Sequence, residues 1–392
     1  MAGVSELLRG KKVCICAGSG GVGKTTISAA IAAGMAARGK KVAVLTIDPA
    51  KRLADSLGLP ELGNTERRVD PSLFQAEGVE AGDGELWAMM LDAKATFDEV
   101  ISKHAPDAET RDRILENRIY RQISNALAGS QEYMAMEKLF ELHQEDRYDL
   151  LVLDTPPTRN ALDFLDAPRR LTQFIEGRSL QVFLRPTGLG MKLFGRGTSM
   201  MFSALRRLTG VDLLEDISEF FQAFSGMVGG FQERAKRVNE LLADKRTSFL
   251  VVCGPSGEPI EEAVYFHRRL VEAALPFGGV IVNRVHYQTN FNAAGSQANL
   301  PGVEGEDIVG ELEDALGDPD LAARAAASLA DYAALAASDR RNIERLTAEL
   351  RARRVIRVPY LDEDVHDLGG LMEVNRYLFA TGAEREALAA SR

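Results

Sequence analysis

A glycine-rich segment that follows the first apolar run has the residue types and spacing that bind phosphate. Residues 18–26 have the sequence GSGGVGKTT, which fits the pattern G-x-x-x-x-G-K-[ST]. In such a loop the backbone N–H groups converge on a phosphate, Lys24 reaches the β and γ oxygens, and Thr25 supplies a hydroxyl to Mg²⁺. Because an apolar run precedes the loop and a helical pattern follows it, we predict a nucleoside triphosphate site. Its residues are Gly18, Ser19, Gly20, Gly21, Val22, Gly23, Lys24, Thr25 and Thr26.

Two aspartates end apolar runs elsewhere in the chain. Asp48 follows residues 42–47, and Asp154 follows residues 150–153. Carboxylates at the carboxyl ends of parallel strands lie where ligands bind in an α/β sheet. Phosphoryl transfer needs one residue to position the attacking water and another to hold the metal ion or its waters. Asp48 is the candidate for the first role and Asp154 for the second, through water; the alternative is that each only caps a turn or a helix.

Seven short apolar runs, rich in β-branched residues, alternate with helical segments. This pattern is typical of a buried parallel sheet covered by helices. The runs are Val13 to Cys16, Val42 to Ile47, Leu86 to Leu91, Leu150 to Leu153, Phe249 to Cys253, Val280 to Val282 and Val355 to Val358. A helix is predicted from Thr25 to Arg38, ending at Gly39. The fold class is therefore predicted as α/β, a doubly wound, mostly parallel sheet of the P-loop type.

The strand rhythm lapses between Asp166 and Thr247. We therefore predict a core over residues 1–165, an inserted helical subdomain over 166–247, and the rest of the core over 248–392. Residues 213–228 carry a stripe of Phe, Leu and Met at helical spacing. Two interpretations stay open for this stripe, which could pack on the domain or form a groove for a client or partner. A second long helix is predicted over 321–351, with Leu329, Tyr332, Leu335, Ile343, Leu346 and Leu350 as its packing side.

Composition excludes several classes of protein. The chain of 392 residues is 45% hydrophobic and 27% charged, which is typical of a globular protein. Its net charge of -10 argues against nucleic acid as the main partner. The chain contains no run of about 18 apolar residues, so no membrane span is predicted. The three cysteines lie in apolar runs and are predicted to be reduced core residues, which places the protein in the cytoplasm.

Several motifs in a fixed order resemble one family. The segments GSGGVGKTT, TIDPAKRLADSLG, DTPPTRNALDFLDAP, GVIVNR and VPYLDEDVHDLGGL are similar to those of the ArsA family of anion-transporting ATPases. This family includes the Get-pathway ATPase that escorts tail-anchored membrane proteins. The resemblance implies that ATP and Mg²⁺ bind, that Asp48 activates water, and that residues 154–158 sense the γ-phosphate. It further implies that Asn283 hydrogen-bonds adenine, that the segment around Pro359 closes over the base, and that two subunits enclose the nucleotides.

The sequence departs from the family pattern at four places. Ser19 replaces a lysine that reaches the partner's nucleotide, so a homodimer would lack that cation unless Lys51 or Arg159 substitutes for it. A heterodimer with a lysine-bearing paralogue is the other arrangement that would supply it. The switch segment is altered at Arg159, Asn160 and Asp163. The chain also lacks a C-x-x-C zinc pair and the cysteine triad that binds metalloids, so neither zinc binding nor metalloid transport is expected.

The combined expectation is an ATP-hydrolysing dimeric switch that couples nucleotide turnover to an apolar client, such as a tail-anchored or other membrane-associated protein. Residues 20–23 cradle the phosphates, Lys24 neutralises them, and Thr26 contacts the α-phosphate. The alternative is a regulatory subunit that binds nucleotide with little turnover of its own, in a complex with a lysine-bearing paralogue.

Overall fold

The sheet is the centre of the fold. A computed structural model describes residues 3–48, 51–78, 82–118, 120–121, 131–155, 220, 223, 227–287, 306–350 and 354–390. Within these residues the strands are β1 (Val13–Ala17), β2 (Lys41–Thr46), β3 (Arg67–Arg68), β4 (Glu85–Met90), β5 (Leu150–Asp154), β6 (Thr247–Cys253), β7 (Phe277–Val285) and β8 (Val355–Pro359). They form one eight-stranded sheet in the order β3-β4-β2-β5-β1-β6-β7-β8. All pairings are parallel except that of β3 with β4, which confirms the predicted α/β class.

Helices cover both faces of the sheet, and a separate apolar cluster fills each side. The helices of the described residues are α1 (Val4–Leu7), α2 (Lys24–Ala36), α3 (Arg52–Ser56), α4 (Pro71–Ala76), α5 (Ala93–His104), α6 (Ala108–Glu116), α7 (Gln131–Gln144), α8 (Val228–Ala243), α9 (Gly257–Glu272), α10 (Glu306–Leu316), α11 (Pro319–Glu349), α12 (Leu368–Phe379) and α13 (Gly382–Ala390). One cluster joins the sheet to α1 through α4 and to α12. The other joins it to α5 through α9 and to α11. Both faces of the strands are buried, so the strands are apolar throughout rather than alternating.

The first strand, the glycine-rich loop and α2 form the unit that the phosphate motif requires. Gly18 follows β1 and passes so close to β6 that a Cβ atom there would lie 1.9 Å from the Val252 carbonyl oxygen. Gly23 precedes α2 with a φ of 87°, in the left-handed region that glycine adopts without strain. The helix then begins at Lys24, so its free backbone N–H groups point into the loop. The glycines of the motif are therefore required by the backbone geometry of the loop.

Two details differ from the sequence-based expectation. The strand β3 was not predicted, because its two residues are exposed arginines that pair only with the edge of β4. The packing side of α11 was wrong at Leu335, which is 49% exposed, whereas Ala336 and Asp339 of the next turn are buried. The prediction placed apolar residues on the packing side and did not include Asp339. Two hydrogen bonds with His286, described below, explain the burial of this aspartate.

The inserted helical subdomain lies largely outside the described residues, and the boundaries at 166 and 247 stay predictions. Of the stripe over 213–228, Phe220 and Met227 are both 2% exposed. The ring of Phe220 stacks on Tyr120, with 6.1 Å between the ring centroids. At these two positions the side chains pack in the core.

Two further expectations concern thiols and membranes. All three cysteines are free and at most 1% exposed, so they are core residues as predicted. Across the residues that the structure describes, no helix combines the length and the apolar character that crossing a bilayer requires.

Candidate nucleotide site

Strand register brings the predicted site residues together at the carboxyl edge of the sheet. Asp154 is the last residue of β5, which lies between β1 and β2. It is opposite Cys16 in one neighbour and Thr46 in the other. Its Oδ2 atom accepts hydrogen bonds from the Thr25 hydroxyl at 2.8 Å and the Thr46 hydroxyl at 2.9 Å. The carboxylate therefore joins the start of α2 to the end of β2.

The other oxygen of Asp154 has no partner. Its Oδ1 atom is buried without a hydrogen bond, in a residue that is 1% exposed. Burial raises the pKa of this carboxyl to about 6, although the two threonine hydroxyls and Lys24 favour its charged form. A buried carboxylate oxygen without a donor is costly, so this atom is prepared for a ligand that the protein itself does not supply.

Lys24 lies at the start of α2 and is directed into the loop. Its Nζ atom donates to the backbone carbonyl of Ser19 at 2.7 Å, and the residue is 6% exposed. Burial lowers the pKa of the amine, while Asp154 and Asp48 act in the opposite direction. The Oγ atom of Ser19 is itself buried without a hydrogen-bond partner. Position 19 therefore offers the site a carbonyl and a hydroxyl, and no positive charge.

Thr46 connects the two aspartates of the site. Its hydroxyl donates to Asp154, and its Oγ1 atom accepts from the backbone N–H of Asp48 at 3.2 Å. Asp48 lies just beyond β2 and lines the cavity in front of the loop. Of the segment 154–158, Thr155 donates from its hydroxyl to the Cys16 carbonyl at 3.0 Å. Residues 156–158, and the altered positions 159, 160 and 163, lie outside the described residues.

A cavity of about 560 Å³ opens in front of the loop. Asn283, near the end of β7, lines it and donates from Nδ2 to the Val22 carbonyl at 2.9 Å. Pro359, at the end of β8, lines it from the same side. The two residues predicted to contact the base are therefore placed together at one wall, and Asn283 also fixes the phosphate loop.

An aromatic group that the sequence analysis missed stands beside Pro359. Tyr360 is 53% exposed and lines the cavity. Its ring stacks on His286, with 5.6 Å between centroids and 13° between planes. Asp339 of α11 accepts hydrogen bonds from the backbone N–H and Nδ1 of His286, which explains its burial. This pair could have been predicted from the sequence, because an aromatic residue directly follows the end of β7 and another follows the end of β8.

The residues present fit a magnesium ion with its waters. Mg²⁺ prefers oxygen ligands, keeps several waters and binds through one or two carboxylates and the phosphates. The Thr25 hydroxyl and the unpartnered Oδ1 atom of Asp154 are the oxygens that would hold it, the latter through water. Among the described residues, no group of three or more His, Cys, Asp or Glu side chains could enclose a metal by itself. The site is therefore suited to an ion that arrives with phosphate.

Replacing Thr46 with valine tests the link between the two aspartates. Valine keeps the shape of threonine and removes the hydroxyl, so Asp154 loses a donor and the Asp48 N–H loses its acceptor. We expect the free energy of unfolding to fall by about 1–3 kcal/mol, measured by denaturant titration without nucleotide. Thr46→Ser keeps the hydroxyl and is the matched control. A Thr46→Val protein with the same free energy of unfolding as the unchanged chain would mean that these hydrogen bonds do not stabilise the fold.

A phosphate loop between β1 and α2, with carboxylates at the ends of β2 and β5, defines a P-loop NTPase. The family model described as "Anion-transporting ATPase" (ArsA ATPase) matches residues 11–298. The chain therefore belongs to the ArsA family of ATPases.

Curated relatives agree with this assignment. The chain is 27% identical to a protein of Aquifex aeolicus named as an arsenical pump-driving ATPase, over 70% of this chain and 63% of that protein. It is 25% identical to ATPase GET3A of Arabidopsis thaliana, over 69% of this chain and 66% of that protein. It is also 25% identical to ATPase GET3 of Malassezia globosa, over 70% of this chain and 73% of that protein. The chain thus spans slightly less than two thirds of the length of the Aquifex aeolicus protein and of GET3A.

Proposed function

We propose that the chain binds ATP with Mg²⁺ and hydrolyses it, and that this turnover drives a dimeric switch. One observation carries the proposal. The Oδ1 atom of Asp154 is buried without a partner, while its Oδ2 atom belongs to a hydrogen-bonded series that runs from Thr25 through Asp154 and Thr46 to the backbone N–H of Asp48. The series connects Asp154, the proposed ligand of the metal's water, to Asp48, the proposed base for the attacking water.

The proposed roles follow from position. The N–H groups of the loop and the start of α2 bind the β and γ oxygens, and Lys24 exchanges the Ser19 carbonyl for a phosphate oxygen. Asp48, at the mouth of the same cavity, orients water toward the γ-phosphorus and accepts its proton. Thr25 and, through water, Asp154 would hold Mg²⁺, which would neutralise the charge that develops on the phosphates. Because Thr46 touches both aspartates, a change at the metal position alters the position of Asp48.

The segment between the last predicted switch and β6 would couple this turnover to a client. The stripe positions other than the buried Phe220 and Met227, with the Gly, Met and Phe residues of 185–202, would provide an apolar surface, and methionine suits varied apolar partners. The client would be a tail-anchored or other membrane-associated protein, handled in the cytoplasm by a dimer. Three buried, reduced cysteines favour that compartment. They also leave no exposed thiol for a metalloid, which disfavours a role in arsenical transport.

The second candidate is a regulatory subunit that binds ATP and turns it over only with a lysine-bearing paralogue. Ser19 favours it, because the loop presents an uncharged residue at the position where the family carries a lysine.

Equilibrium binding and mass measurements test the proposal. We expect calorimetry to detect ATP binding that Mg²⁺ tightens, and light scattering to detect a dimer with Mg²⁺ and ATP. The Asp48→Asn variant is used to keep bound ATP intact during these measurements, because it should bind ATP without hydrolysing it. Absence of ATP binding would contradict both candidates, and a monomer in every nucleotide state would contradict the homodimeric switch.

A further inference from the structure

A second cation lies against the phosphate loop. Arg284 follows Asn283 near the end of β7 and lines the nucleotide cavity. Its Nη1 atom donates to the Gly21 carbonyl at 3.1 Å. The sequence analysis gave it no role, since arginine after a strand has no recognisable pattern of its own.

The backbone at Arg284 adopts a conformation that arginine rarely accepts. Its φ is 61°, in the left-handed region, and it is one of three such non-glycine residues in the described part of the chain. The register of β7 with β8 shifts here, from Val282 opposite Arg357 to Val285 opposite Pro359. Backbone strain of this kind concentrates at functional sites.

The strained backbone changes where the side chain goes. In a regular strand, consecutive side chains point to opposite faces, so Asn283 and Arg284 would diverge. Here both reach the phosphate loop, where Asn283 binds the Val22 carbonyl and Arg284 binds the Gly21 carbonyl. The irregular backbone of β7 at Arg284 thus places the guanidinium beside Gly21 of the phosphate loop.

The charges that line the cavity favour such a cation. Its lining carboxylates are Asp48, Asp55, Glu363 and Asp364, and its lining Lys and Arg residues are Lys24, Arg52 and Arg284. A nucleoside triphosphate adds further negative charge. A guanidinium has five N–H donors in a fixed planar arrangement that suits phosphate, and the Gly21 carbonyl engages one of them.

We propose that Arg284 is a catalytic residue that donates hydrogen bonds to the phosphate oxygens of the nucleotide in its own subunit. It supplies the positive charge that Ser19 does not, so the site hydrolyses ATP without a lysine from a partner. This inference rests on the proposed ATPase function, which it completes.

The test compares Arg284→Gly, Arg284→Lys and the unchanged chain in steady-state hydrolysis with Mg²⁺ and ATP. Glycine accepts the positive φ, so the first variant removes the charge without adding strain. We expect kcat to fall by roughly 10²-fold or more in Arg284→Gly. Arg284→Lys should recover part of the loss, because it restores charge without the planar donors. Ala274→Gly, at another positive φ outside the cavity, is the backbone control and should leave turnover unchanged.

The failures of the two proposals are distinguishable. If Arg284→Gly hydrolyses ATP within about threefold of the unchanged chain, this inference is wrong and the ATPase function stands. If the unchanged chain binds ATP without turnover, the claim that Arg284 replaces the lysine fails together with the proposed ATPase function. The proposed contact of Arg284 with phosphate is then tested by ATP affinity, which we expect to fall about tenfold or more in Arg284→Gly. Unchanged affinity would then overturn the inference. Recovery of turnover on mixing Arg284→Gly with Asp48→Asn chains would overturn the assignment to its own subunit.

Discussion

Replacing Asp48 with asparagine is expected to reduce ATP hydrolysis by about 10²–10⁴-fold, the range that a positioned general base contributes. Asparagine keeps the size of the side chain and its hydrogen bonding but cannot accept the proton of the attacking water. The backbone N–H of Asp48 still donates to Thr46, so the end of β2 should keep its conformation. The loss should therefore appear in kcat, with ATP affinity retained.

The control for this prediction is Asp112→Asn, the same change on the exposed surface of α6, where Asp112 pairs with Arg111. It should hydrolyse ATP like the unchanged chain. Turnover of Asp48→Asn above about a tenth of the unchanged rate would assign the water to another residue.

Replacing Asp154 with asparagine should separate stability from function. Burial raises the pKa of Asp154 from 3.8 to about 6, so the folded chain holds this proton more tightly than the unfolded chain. Stability from this group is therefore greatest at low pH and is lost as the pH rises from about 4 to 6. At pH 7 burial of the ionised carboxylate lowers the free energy of unfolding by about 3 kcal/mol. A neutral asparagine does not have this unfavourable energy. Without nucleotide, Asp154→Asn should be the more stable protein at pH 7.

The same change should impair the enzyme. Without the carboxylate, the waters around Mg²⁺ lose an acceptor, and we expect turnover to fall by about 10–100-fold. Denaturant titrations from pH 4 to 8 check the stability, and hydrolysis at several Mg²⁺ concentrations checks the activity. Asp146→Asn is the control, because the exposed Asp146 has its pKa lowered by Lys12. An Asp154→Asn protein that is less stable than the unchanged chain at pH 7 would contradict the assignment of an unfavourable burial energy to the ionised carboxylate.

The sequence predicted the parts of the site that depend on local pattern. The loop from Gly18 to Thr26 needs a strand before it and a helix after it, and both are local features. Asp48 and Asp154 could be found because each ends an apolar run. Their neighbourhood follows from parallel strands that end at one edge of the sheet.

The remaining parts of the site depend on long-range register. Thr46 is an ordinary strand residue in the sequence, and only its pairing opposite Asp154 makes it a link. Arg284 reaches the loop because of an irregularity in β7, which depends on tertiary context. The burial of Asp339 was missed for a related reason, because it depends on hydrogen bonds with His286 of another element.

Phosphate release by the purified chain alone decides whether the protein is a self-sufficient ATPase. We would measure it with Mg²⁺, without Mg²⁺, and for Asp48→Asn prepared in parallel. We expect turnover that requires Mg²⁺ and that falls by about 10²-fold or more in Asp48→Asn. Tight ATP binding with no turnover until a lysine-bearing partner is added would contradict a self-sufficient ATPase and establish the regulatory alternative.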